Sequence, residues 1–155
     1  LLNKIKKSEV NISYTDIYLK SPLSCRLLID FVSWFKKETG LQVNRLDLNL
    51  ADVKDSKKND FYTTDDRDCY VKGYAEKFDL PLRIIKPGRL PHRREFKIVN
   101  DNYEFIIRPD GGFENGWNVD YADINSGWED NFESDVRLFN KSVDGILFYI
   151  VYKQR

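Results

Sequence analysis

A histidine beside arginines is the feature of this sequence with the clearest chemical potential. His92 is the only histidine among 155 residues, and Arg94 follows it two positions later. Residues two apart on an extended segment point to the same side of the chain. An imidazole beside a guanidinium can bind a phosphate, and an imidazole can also attack phosphorus as a nucleophile. The sequence therefore predicts a phosphate site formed by His92 and Arg94, with Arg93 and Arg89 in support.

Charge is unevenly distributed around this predicted site. The net charge of the chain is zero, so no overall field draws it to nucleic acid or to a membrane. Residues 83–97 are nevertheless basic, whereas residues 101–135 hold ten acidic side chains and a single base, Arg108. This asymmetry suits a local anion site better than a broad nucleic-acid surface. Two solvated surfaces that complement each other would explain the same pattern.

Length and composition indicate one globular domain over residues 1–155. Apolar residues make up 41% of the chain, enough for a proper core. The sequence shows no stretch long enough for a transmembrane span and no secretory signal, so we expect a cytoplasmic protein. The chain contains no methionine, which favours a domain excised from a larger protein.

The two cysteines, Cys25 and Cys69, fall inside predicted helices and lack the spacing of metal ligands. We expect buried free thiols in a reducing compartment, with a disulfide as the open alternative. No metal or cofactor motif is present, and neither a metal nor a cofactor is predicted.

Hydrophobic periodicity predicts an α/β fold with a mixed sheet flanked by helices. Ser21 and Pro22 are typical of a helix start, and Gly40 is typical of a helix end. The chain then runs strand, helix, strand, helix, strand, hairpin and final strand. Predicted strands cover 41–50, 82–86, 95–99, 103–108 and 145–152, with a strand or extended entry segment over 9–19, and predicted helices cover 22–39 and 63–78.

The hairpin region resembles the signature of phospholipase-D-like (PLD-like) domains. That signature is His-x-Lys, four residues, Asp, then a glycine pair or Gly-Ser and often Asn. His92-Arg93-Arg94 is similar to the His-x-Lys element, with arginine in place of lysine. Gly111 and Gly112 resemble the glycine pair, and Asn115 resembles the asparagine that follows. The resemblance covers most of residues 10–115 and implies a PLD-like fold, with Asp110, Gly111, Gly112 and Asn115 as a ligand-facing turn.

Two variants of the family are most similar to this chain. One is the non-catalytic PLD-like domain at the C-terminus of MIT-domain proteins of the ESCRT system, which also has His-x-Arg. The other comprises domains appended to bacterial phage-defence helicases, which resemble Tyr18–Leu23, His92–Arg94 and Asp110–Phe113. The chain departs from the signature at Val99, which occupies the place of the aspartate and weighs against catalysis.

Three functions follow as expectations from this resemblance. The first is a domain of a bacterial defence or helicase-type assembly that binds a nucleic-acid backbone or another phosphate-bearing ligand, without catalysis on its own. The second is a catalytically dead protein-interaction or lipid-binding module like the MIT-protein domain, with residues 111–135 as its contact surface. The third is a PLD-type nuclease with His92 as catalytic residue, which would require a homodimer because active family members bring two histidines together.

Overall fold

The sequence folds into alternating strands and helices followed by a meander of antiparallel strands. The computed structural model describes residues 7–92, 94–109 and 148–154. Its elements are β1 (Glu9–Asp16), α1 (Pro22–Thr39), β2 (Gln42–Leu50), α2 (Thr64–Glu76), β3 (Leu82–Ile85), β4 (Glu95–Val99), β5 (Tyr103–Pro109) and β6 (Phe148–Gln154). The α/β class is therefore confirmed, and the described elements follow the predicted order.

The strands form one six-stranded mixed sheet with the order β3-β2-β1-β4-β5-β6. Strands β1, β2 and β3 are parallel, whereas β4, β5 and β6 continue the sheet from β1 in antiparallel fashion. The carboxyl ends of the three parallel strands therefore lie at the same edge of the sheet, called the carboxyl edge below. Strand β4 begins at that edge, since Glu95 pairs with Thr15 near the end of β1.

Local signals in the sequence set the helix ends and the hairpin. Ser21 caps α1 in a reciprocal capping box with Ser24, and Gly40 ends the helix in the left-handed conformation, at φ 66°. In the hairpin turn, the Asn100 side chain accepts from the backbone N–H groups of Asn102 and Tyr103, at 2.9 and 2.7 Å. Ser21 and Gly40 thus set the ends of α1 where these residue types predicted them.

Both helices pack on the same face of the sheet, because the crossovers β1-α1-β2 and β2-α2-β3 run in the same direction along it. They bury one core with the inward residues of the strands, including Ile12, Leu46, Leu48, Phe96 and Ile98. On the opposite face, β1 and β2 carry mainly polar side chains, whereas β5 places Ile106 there. There Asp47 of β2 pairs with Arg45 at 2.9 Å and with Arg83 at 3.0 Å.

The two cysteines differ in burial. Both are free thiols, and Cys25 is buried as expected, but Cys69 is exposed. The prediction of a buried thiol was wrong for Cys69 because the buried stripe of α2 runs through Arg67, Val71 and Tyr74. Position 69 lies about 200° around the helix from residue 67, on the solvent side.

Among the described helices, none has the length and apolar character needed to cross a membrane.

A buried carboxyl group holds the two helices together. The Tyr74 hydroxyl donates to Asp30 Oδ1 at 2.8 Å, and the Arg26 guanidinium lies 5.5 Å from the centre of the Tyr74 ring. Burial raises the pKa of Asp30 to about 6, although the Tyr74 bond and Arg26 act in the opposite direction. Burial and the neighbouring carboxylate also raise the pKa of Tyr74.

This raised pKa predicts that Asp30 makes the protein less stable as pH rises. A protonated Asp30 contributes stability that is complete below the unfolded pKa, near 3.8, and is lost as pH rises through about 6. Between pH 4 and pH 7 the wild type should therefore lose up to about 3 kcal/mol of unfolding free energy relative to Asp30→Asn, which stays neutral. Urea unfolding of both proteins across that range measures the difference. Parallel stability profiles would contradict the prediction.

Candidate functional site

The predicted phosphate-binding residues lie at the carboxyl edge. Residues 86–94, called the basic loop below, leave β3 and enter β4. Because β2 and β1 lie between those two strands in the sheet, the basic loop crosses their carboxyl ends. The segments that follow β1 and β2, residues 17–21 and 51–63, start at the same edge. Crevices outside the carboxyl ends of parallel strands are the usual ligand sites of open α/β sheets.

Arg94 is held by an internal partner. Its Nε donates to Asp16 Oδ2 at 3.3 Å, and its guanidinium lies 5.0 Å from the centre of the Tyr18 ring. The Arg94 side chain is 19% exposed and the Asp16 side chain 3%. The ion pair uses one of the five N–H donors of the guanidinium. Arg94 thus fastens the end of the basic loop to the end of β1.

Asp16, which sequence reasoning missed, connects Arg94 with Tyr14 and Tyr18. Its carboxylate also accepts from the Tyr14 hydroxyl at 2.8 Å and from the backbone N–H of Tyr18 at 2.7 Å. Burial raises the pKa of Asp16, although the Tyr18 N–H and Arg94 act to lower it. Burial and the nearby carboxylate raise the pKa of Tyr14. The available signal was alternation, because Asp16 occupies the inward position that follows Ile12 and Tyr14 along β1.

His92 and Arg89 lie in the basic loop with exposed side chains. Neither has a hydrogen-bond or ion-pair partner among the described residues. Strand β4 begins at Glu95, so His92 and Arg94 precede the strand rather than lying on it. Their two-residue spacing on a strand therefore no longer supports a shared orientation, and a common anion between them stays a prediction. Arg93 lies outside the described residues.

Another arginine, the buried Arg67 at the start of α2, joins the segments of the carboxyl edge. It is 1% exposed and its guanidinium donates to the carbonyl oxygens of Ala51, at 2.6 Å, and Leu19, at 3.4 Å. Its Nε and one Nη donate to Asp68 Oδ1 at 3.0 and 2.9 Å. The other oxygen of Asp68 lies 2.9 Å from Lys86 Nζ, which raises the pKa of that lysine.

Arg67 thereby connects the segment after β1 with the segment after β2, and through Asp68 it reaches the basic loop. Sequence reasoning missed this residue as well. The signal was its position four residues before Val71, which continues the buried stripe of α2 by one turn. A charged residue on an apolar stripe is seldom fully buried unless it is paired, as Arg67 is here.

The remaining predicted site residues stay predictions. Asp110, Gly111, Gly112 and Asn115 lie outside the described residues, as does the acidic segment 111–135. Val99, at the signature's aspartate position, pairs with Asn11 of β1 and Glu104 of β5. Within the described ranges, no group of three or more His, Cys, Asp or Glu side chains could hold a metal ion.

The fold and the carboxyl edge define a small α/β domain in which charged loops converge above parallel strands. Over residues 1–142 the chain matches the family described as the C-terminal domain of the DEAD/DEAH box helicase YjiV. The chain belongs to this family and is therefore a helicase-associated domain. No curated protein and no solved structure matched the chain.

Proposed function

We propose that this helicase-associated domain binds the phosphate backbone of nucleic acid at its carboxyl edge. The observation that supports the proposal best is the basic loop, which contains no acidic residue and crosses the ends of β2 and β1. Its cationic side chains, with the histidine, are Lys86, Arg89, His92, Arg93 and Arg94. Phosphate contacts from such side chains supply most of the non-specific affinity of proteins for nucleic acid.

The internal contacts of the loop divide these residues by role. Lys86 pairs with Asp68 and Arg94 pairs with Asp16, so these two mainly position the loop. Arg89 and His92 are exposed and have no ion-pair partner among the described residues, so they would contact phosphate first, with Arg93 and the remaining donors of Arg94 in support. With so few cations, binding should be weak and should fall steeply as salt rises.

The same proposal includes a PLD-like type for this domain. It also includes a defence role in the cytoplasm for the parent helicase. The domain would not be catalytic alone. One histidine cannot serve as both nucleophile and leaving-group acid within a monomer, and Val99 replaces the signature's aspartate. If the chain hydrolyses phosphodiesters and His92→Ala abolishes that activity, this proposal is wrong and the protein is a dimeric PLD-type nuclease.

Replacing Arg89 is the sharpest test of phosphate binding, since Arg94→Ala would also leave the buried Asp16 without its cation. Arg89→Ala should weaken binding of a fluorescent oligonucleotide about tenfold, as loss of one charge-assisted bond would do. The slope of log affinity against log salt should fall by about one unit. Fluorescence anisotropy at several salt concentrations measures both quantities.

Lys37→Ala provides the matched control, because Lys37 is an exposed cation in the last turn of α1. It lies at the opposite end of that helix from the carboxyl edge and should leave affinity unchanged. Equal losses in the two variants would indicate a diffuse charge effect and contradict a site at the basic loop. Absence of any salt-dependent binding would favour the interaction-module alternative.

A further inference from the structure

We propose that the carboxyl edge takes single-stranded nucleic acid and that Tyr62 and Tyr18 stack on its bases. This inference rests on the proposed function and specifies the form of the ligand. Among the described residues, the large hydrophobic side chains that are exposed are Tyr62 at 86%, Tyr18 at 49% and Trp34 at 40%. Both tyrosines belong to segments that follow parallel strands at the carboxyl edge, next to the basic loop.

Tyr62 is an exposed ring on a firmly anchored backbone. The residue before it, Phe61, is 1% exposed, and its N–H donates to the Lys20 carbonyl oxygen at 2.9 Å. The residue after it, Thr63, caps α2 by accepting from the Asp66 N–H at 3.1 Å. The backbone is therefore held on both sides of a ring that faces solvent, so little freedom of the backbone remains to be lost on binding.

Tyr18 is fixed in a similar way on the neighbouring segment. Its N–H donates to Asp16 Oδ1 at 2.7 Å, and the Arg94 guanidinium lies over its ring. A ring half exposed beside a cation offers a base both a π-face and a nearby charge for the adjoining phosphate. Because Phe61 bonds to Lys20, the Cα atoms of Tyr18 and Tyr62 lie within about 18 Å of each other. One short oligonucleotide could therefore contact both rings.

The stacking rings favour a single strand over a duplex. In a duplex the base faces are covered by neighbouring bases, and only base edges and the backbone are accessible. In a single strand each base can present a face to an aromatic side chain, whatever its identity. Cations alone would bind any polyanion, whereas cations interleaved with exposed tyrosines add a preference for unpaired bases.

The experiment compares three ligands of equal length with the full chain by fluorescence anisotropy. The ligands are an oligothymidylate, an abasic strand with the same phosphates and sugars, and a duplex. We expect the oligothymidylate to bind at least about fivefold more tightly than the abasic strand, as one stacked base would provide. Tyr62→Ala should remove most of that difference, and Tyr62→Phe should preserve it.

Trp34→Ala is the control, since Trp34 is an exposed aromatic near the other end of α1, about 18 Å along the helix from Pro22. It should leave all three affinities unchanged. Equal binding of the oligothymidylate and the abasic strand, with Arg89→Ala still weakening both, would overturn the stacking proposal and leave phosphate binding intact. Failure of every ligand to bind in a salt-dependent manner would overturn both proposals.

Discussion

Arg67→Ala is expected to lower the free energy of unfolding by about 3–5 kcal/mol, the usual cost of removing one partner of a buried ion pair. The guanidinium is almost fully buried and donates to the carbonyl oxygens of Ala51 and Leu19 as well as to Asp68. The substitution leaves a cavity, and both carbonyl oxygens lose the hydrogen bond that Arg67 donates. Urea unfolding followed by circular dichroism measures the loss.

Lys72→Ala is the matched control for this prediction. Lys72 is an exposed cation on the same helix and should change stability by no more than about 0.5 kcal/mol. Arg67 connects the segments of the carboxyl edge. The fraction of Arg67→Ala protein that stays folded should therefore also bind oligonucleotide less tightly than Lys72→Ala does. Equal stability of the two variants would show that the buried network contributes nothing measurable.

Asp16→Ala is expected to cost a similar amount, about 3–5 kcal/mol of unfolding free energy, for the same physical reason. The substitution leaves Arg94 without its carboxylate partner. It also removes the oxygens that accept hydrogen bonds from the Tyr18 N–H and the Tyr14 hydroxyl. The end of β1 and the start of β4 would lose their ionic link. Urea unfolding of the variant and of Asp52→Ala, which removes an exposed carboxylate, provides the comparison.

Asp16→Asn separates the hydrogen bonds of Asp16 from its charge. The asparagine keeps one acceptor oxygen, and it removes a buried charge whose desolvation raises the pKa of the native carboxyl group. We therefore expect Asp16→Asn to be clearly less destabilising than Asp16→Ala. If both variants lose equal stability, the acceptor oxygen that asparagine keeps contributes little, and the loss comes from the charge of Asp16.

The order and type of the elements could be predicted from the sequence because they depend on local rules. Alternating apolar residues predicted the strands, the period of the apolar stripe predicted both helices, and Ser21 and Gly40 marked the ends of α1. Each of these signals acts within a few residues along the chain. The basic character of residues 86–94 was also evident, together with His92, Arg89 and Arg94 as its prominent members. The PLD-like type itself stays a prediction.

The partners of the charged residues were decided only by the tertiary structure. Arg94 meets Asp16, 78 positions earlier in the chain, because β4 pairs with β1 in antiparallel register. Arg67 reaches Leu19 and Ala51 because two loops follow parallel strands at one edge of the sheet. Periodicity gives the face of an element on which a residue lies, whereas strand order and register determine which residue it meets across the sheet. The sequence alone therefore determined that the domain has a basic loop, and the fold determined which of the described cations in this loop pair with an acidic residue.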